Sequence, residues 1–185
     1  KGGRKDRINL MNLRKAPRDF LQGLDYARTK GYKIENICSN ETYKKNIIFK
    51  LGSFFEKIQA RISGIGLRPF SVHNFAKIIN SSDGIISLTD GFSLSLGFYF
   101  IFKSKKIITI GAFHKLSDYD RKIPFFLKKL YKLLLIRILK NLDHIAFYGP
   151  ADREHAIKIF KLNRELTSII KFGVDTDFWY PKFKR

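Results

Sequence analysis

Cysteine is nearly absent: Cys38 stands alone in 185 residues. A lone cysteine excludes an internal disulfide, argues against a cysteine-built metal cage, and suits a reducing compartment. Acids are scarce, with 16 Asp and Glu against 36 Lys and Arg, for a net charge of +20. No apolar run is long enough to cross a bilayer, and no signal-peptide pattern is present. The longest run, Leu94 to Phe102, reads as a buried helix. A Walker loop and a Gly-x-Gly-x-x-Gly fingerprint are both missing, and Gly64-Ile65-Gly66 follows a helical pattern rather than a strand. No serine sits in a nucleophile elbow. His73, His114, His144 and His155 lack metal-ligand spacing with acids or with Cys38. Internal repeats and low-complexity segments are absent too.

What is present is a globular composition, 44% hydrophobic and 15% aromatic, in a chain long enough for one domain with a core. The charge implies an anionic partner: nucleic acid, anionic lipid or phosphorylated substrate. A lysine-rich solvated surface would carry the same charge. The chain opens on Lys1 rather than methionine and ends soon after Pro181, which suggests a piece of a longer protein.

Strand and helix patterns alternate. Lys1 to Arg7 is a basic lead-in, and Ile8 to Leu13 reads as a strand. Pro17 marks entry to a helix over Asp19–Lys30, which Gly31 ends. Lys33 to Cys38 is a second strand, completing a βαβ unit. Lys44 to Ile62 is an amphipathic helix, apolar at Ile47, Ile48, Leu51, Phe54, Phe55, Ile58 and Ile62. Val72 to Asn80 is a short helix, and Gly84 to Leu88 a buried strand with Thr89-Asp90-Gly91 as its exit. Ser93 to Phe102 is an apolar helix. Lys105 to Ile110 is the next strand, with Gly111 to His114 as its exit loop. The expected fold is α/β, an open parallel sheet with helices on both faces, in a single Rossmann-like domain over residues 1–185.

The closing stretch is the most informative. Ile145 to Tyr148 is a short strand stopped by Gly149-Pro150, and Pro150 suits a first helical turn. Asp152 and Glu154 follow where the helix dipole favours acids. Ser168 to Phe172 is the last strand, and Gly173 permits a turn after it. Asp143-His144-Ile145, together with Gly173-Val174-Asp175-Thr176, Phe178 and Pro181, resembles the end of the N-terminal domain of GT-B glycosyltransferases of the family 4 type. Arg28-Thr29-Lys30-Gly31-Tyr32-Lys33-Ile34 is similar to that family's first helix ending. Phe172 stands where the family usually has asparagine, and Gly149 where it often has serine.

In an open parallel sheet, ligands bind outside the carboxyl ends of the strands. That makes the exits at Asn12–Arg18, Thr89–Gly91, Gly111–His114, Tyr148–Pro150 and Phe172–Asp175 the candidates. The resemblance implies a histidine after the strand ending at Ile110, and His114 lies a little beyond that place. It is the candidate catalytic residue, or else a loop histidine without a role. Asp90 is either an acceptor for a sugar hydroxyl or a turn aspartate before Gly91. Asn12, Arg14, Lys15 and Arg18, with Gly149 and Gly173, are the candidate acceptor- or phosphate-binding residues. Arg14 and Lys15 stand where the family often has paired glycines, so the loop either presents cations to phosphate or serves no phosphate.

Lys122 to Lys140 reads as a basic amphipathic helix. Ile123, Leu127, Leu130, Tyr131, Leu134, Leu135 and Ile138 form an apolar arc for the sheet. Lys122, Lys128, Lys129, Lys132 and Lys140 gather opposite, interleaved with Phe125, Ile136 and Leu139. Phe125, Lys128, Lys129, Lys132 and Lys140 form either a contact with an anionic membrane or an ordinary solvated face.

The resemblance implies transfer of a sugar from a nucleotide diphosphate sugar, with retention, to a lipid-linked or polysaccharide acceptor, without a cofactor or an obligatory metal. It implies a donor-binding C-terminal domain as a partner, inactivity of this part alone, and a place in the cytoplasm or on the inner face of the membrane. No nucleic acid is expected on that reading. The rival is a basic nucleic-acid-binding α/β domain. A third reading is a membrane-surface scaffold without activity.

Overall fold

The computed structural model describes residues 24–35, 47–63, 66–104, 107–118 and 123–171. The chain divides into two compact units, one of residues 1–42 with 171–185 and one of residues 43–170.

In the first unit, helix α1 spans Leu24–Thr29. Gly31 adopts φ 83°, the left-handed conformation that glycine takes without strain. Its amide donates to the Arg28 carbonyl at 2.9 Å and that of Tyr32 to the Ala27 carbonyl at 3.2 Å, closing the helix as expected from Gly31. Lys33–Glu35 form no ladder, and the rest of the strand expected over Lys33–Cys38 lies outside the described residues, as does Ile8–Leu13.

The second unit is an α/β fold around a parallel sheet. Helix α2 spans Ile47–Ser63, α3 Pro69–Asn74 and α4 Ala76–Asn80. Then come strand β1 (Gly84–Ser87), α5 (Asp90–Tyr99), β2 (Ile108–Phe113), α6 (Lys128–Leu139), β3 (His144–Phe147), α7 (Pro150–Phe160) and β4 (Thr167–Ile169). Strand order follows chain order, β1-β2-β3-β4, and every pair is parallel. Each link is therefore a crossover, right-handed by the twist of its strands. The face carrying Thr109, Phe113, Ile145 and Phe147 receives the helices. There Leu94, Leu135, Ile138, Leu139, Ala156 and Phe160 complete the core. Two glycines set the spacing: a Cβ on Gly111 would lie 2.8 Å from Leu142 Cδ1, and one on Gly97 would lie 2.5 Å from the Ile138 carbonyl oxygen.

Several expected boundaries move. Gly111, Ala112 and Phe113 belong to β2 rather than to an exit loop, so the exit begins at His114. β1 stops at Ser87 and is not buried throughout, since Ile86 is 65% exposed. The helix expected over Val72–Asn80 breaks at Phe75. β4 starts at Thr167, one residue early. The basic helix begins later than expected, as a 3-10 turn at Phe125–Leu127 followed by α6, because the ring of Pro124 pushes the preceding Ile123 out of the helical region. Its inward face also differs from the expected arc: Leu139 is buried, whereas Leu130 is 64% exposed.

Candidate functional site

The register of the sheet builds the site. Phe113 pairs with Phe147, so the next residues, His114 and Tyr148, leave the carboxyl edge side by side. Their rings stack, with centroids 3.8 Å apart and planes 18° from parallel. His114 is exposed and Tyr148 half-buried, so the stack faces solvent on one side.

Asp90 comes to the same place from β1. It is the first residue of α5, where the dipole favours an acid. Its Oδ1 accepts the His114 amide at 2.8 Å and its Oδ2 accepts the Lys115 amide at 3.1 Å. Asp90 thereby holds the backbone on which His114 stands. Around it the chain is tightly stapled. Ser93 Oγ, fully buried, donates toward the Ala112 carbonyl at 3.2 Å and lies 2.9 Å from Ser87 Oγ, tying α5 to the ends of β1 and β2. A Cβ on Gly91 would fall 2.6 Å from the Gly66 carbonyl oxygen, so only glycine lets that segment approach. The Arg68 amide then donates to Ser95 Oγ at 2.6 Å.

Gly149 is the N-cap of α7, with φ −144° and ψ 145°, directly beyond Tyr148. Arg153 in α7 reaches β4: its Nε donates to Thr167 Oγ1 at 2.8 Å, and its Nη2 to the Thr167 and Arg164 carbonyls, each at 3.1 Å. Arg153 thus fastens α7 to the first residue of β4 and to the turn before it.

Of the residues singled out from sequence, Asp90, His114 and Gly149 come together at one edge. Asn12, Arg14, Lys15, Arg18 and Gly173 lie outside the described residues. Phe125, Lys129, Lys132 and Lys140 are exposed on the 3-10 turn and α6, while Lys128 is half-buried. Phe126, Leu130, Leu133 and Arg137, not assigned to that surface from sequence, join it. Tyr148 belongs to the expected exit Tyr148–Pro150 but carries no role of its own in the sequence reading. The signal for it is positional: it follows the apolar run of β3 as His114 follows that of β2. A hollow of about 330 Å³ lined by Asn80, Phe100, Lys103, Ser104 and Ile107 precedes β1 and β2, at the opposite edge.

Among the described residues no group of three or more His, Cys, Asp or Glu side chains could hold a metal, and no helix is long and apolar enough to cross a membrane. No family model, curated protein or solved structure matches the chain.

Proposed function

We propose that this chain is the N-terminal, acceptor-side domain of a retaining GT-B glycosyltransferase of the family 4 type. It moves a sugar from a nucleotide diphosphate sugar to a lipid-linked or polysaccharide acceptor. The observation that supports this reading is the convergence of Asp90, His114 and Tyr148 at the carboxyl ends of neighbouring parallel strands, where ligands of open α/β sheets bind. An imidazole held flat against a phenol ring presents its edge nitrogens to a bound hydroxyl, and a sugar offers several. His114 is the residue that touches the reacting sugars, Tyr148 fixes its ring plane, and Asp90 positions its backbone. No cofactor or metal enters the proposal. The exposed surface of Phe125, Phe126, Lys129 and Lys132 suits an anionic membrane on the cytoplasmic side, where a lipid-linked acceptor would lie.

The test is sugar transfer by the product of the whole reading frame that contains these residues. It is assayed with radiolabelled UDP- and GDP-sugars and a membrane lipid fraction. Transfer that collapses in a folded His114→Ala variant is the expected result. A folded product that transfers no sugar, or transfers as well without His114, overturns the proposal. Binding to RNA or DNA that falls steeply with salt, with no transfer, would favour the nucleic-acid reading instead.

A further inference from the structure

Helix α2 is packed the wrong way round for a core helix. Leu51, Phe54, Phe55, Ile58 and Ile62 recur at helical spacing, so they form one stripe. Such a stripe normally turns inward. Here all of them are exposed, Phe54 by 58% and Phe55 by 61%. The face that turns inward instead carries Gly52 and Glu56, both buried.

Two contacts pin that orientation. A Cβ on Gly52 would lie 2.5 Å from the Phe70 ring, so α2 sits against the start of α3 at its one side-chain-free position. Glu56 caps α3: its Oε1 accepts the Phe70 amide at 2.7 Å and the Ser71 amide at 3.3 Å, and its Oε2 accepts the Ser71 hydroxyl at 3.4 Å. Rotating α2 to bury its phenylalanines would break this cap and drive side chains into Phe70. The apolar stripe is therefore held outward by the fold.

Its border is cationic. Lys50, Lys57 and Arg61 share one flank at helical spacing and are all exposed, while Glu56, the only acid of α2, is the residue buried on the far side. A second copy of a chain carrying +20 would be repelled from this surface. A nucleic acid would engage the cations and leave the stripe in water. An anionic bilayer takes both, the aromatic and aliphatic side chains entering the interface and the cations meeting head groups.

We propose that α2 lies in the plane of an anionic membrane surface, with Leu51, Phe54, Phe55, Ile58 and Ile62 immersed. This is a contact separate from the one on α6, and it stands whether or not the chain takes part in sugar transfer.

The test uses the whole chain in a Cys38→Ser background, with Phe55→Cys carrying an environment-sensitive nitrobenzoxadiazole label. Vesicles of phosphatidylcholine with phosphatidylglycerol should blue-shift the label, and phosphatidylcholine alone should not. Unlabelled Phe54→Ser/Phe55→Ser should keep its circular dichroism, since both side chains are exposed, and bind anionic vesicles about tenfold or more weakly. Lys50→Glu/Lys57→Glu, which leaves the stripe intact, should also weaken binding. The parallel variant Phe125→Ser/Phe126→Ser separates the two surfaces. A label that stays in water while the protein sediments with vesicles overturns the proposal. So does vesicle binding unchanged by both α2 variants, or a label buried by self-association without lipid.

Discussion

Gly97 lies inside α5, where helix propensity alone favours alanine over glycine by about 1 kcal/mol. Packing argues the other way. An added Cβ would stand 2.5 Å from the Ile138 carbonyl oxygen, 2.9 Å from Ile138 Cγ2 and 3.2 Å from the Ile138 carbonyl carbon. Two of those atoms are backbone of α6, so no rotamer change relieves the clash and the helices must separate. Forcing extra volume into a packed core costs roughly 1–3 kcal/mol, and separation also loosens Leu94, Leu135 and Ile138. The overlap with backbone places Gly97→Ala at the upper part of that range, for a net loss of about 1–2 kcal/mol after the propensity gain. At this chain length that lowers Tm by roughly 2–8 °C. Thermal unfolding by circular dichroism reads it, with Gly66→Ala as control, since a Cβ there meets only the Gly91 Cα at 3.9 Å. A Gly97→Ala protein as stable as the parent, or more so, refutes the close approach of α5 to α6.

Burial pushes the Glu56 carboxyl above its ordinary value of 4.5, against the lowering effect of the Ser71 and Phe70 amides. The folded state thus holds that proton more tightly than the unfolded chain. Its stabilising share is full below 4.5 and is lost as pH rises through the raised folded value. Glu56→Gln should flatten that part of a denaturant-melting profile, and an unchanged slope contradicts the burial. Arg153→Ala removes donors to Thr167 and Arg164 and should cost about 1–3 kcal/mol, with Arg153→Lys recovering only part because it lacks the planar fork; urea unfolding measures both. Asp90→Ala should speed hydrogen exchange at the His114 and Lys115 amides while leaving the Phe113 amide protected in the sheet. Asp90→Asn, with one acceptor oxygen left, should fall between.

The order of elements in residues 47–171 was legible because apolar β-branched runs alternate with longer helical patterns, and that alternation admits little besides a parallel sheet. The end of β2 was not. Gly111 and Ala112 resemble a loop, yet glycine is what the ladder needs where Leu142, Phe113 and Ser93 crowd one face. The inward arc of α6 was legible except at its edge, where apolar residues surround the helix and Leu139 rather than Leu130 turns inward. Leu139 joins that face because the end of the helix, with Leu142, leads into β3. Periodicity found the stripe of α2, but the direction it faces depends on Gly52 and Glu56, whose partner Phe70 lies one helix further on.

At the candidate site, position was readable and partnership was not. Strand exits could be found by following each apolar run to its end, which located His114, Asp90 and Gly149. Asp90 was weighed as a group for a sugar or as a local turn residue. Its carboxylate instead grips amides of another exit, a contact between residues 24 or more apart in sequence. Tyr148 acquires meaning only from the pairing of Phe113 with Phe147.

The most direct measurement of the central claim is a titration of the isotope-labelled chain with sugar phosphates and short glycans that stand in for the acceptor, followed by amide chemical shifts. The account predicts saturable shifts confined to His114, Lys115 and Tyr148–Ala151 that depend on which sugar is offered, and their loss in His114→Ala. Shifts that spread over the lysines of α6 and follow only the charge of the ligand would contradict it.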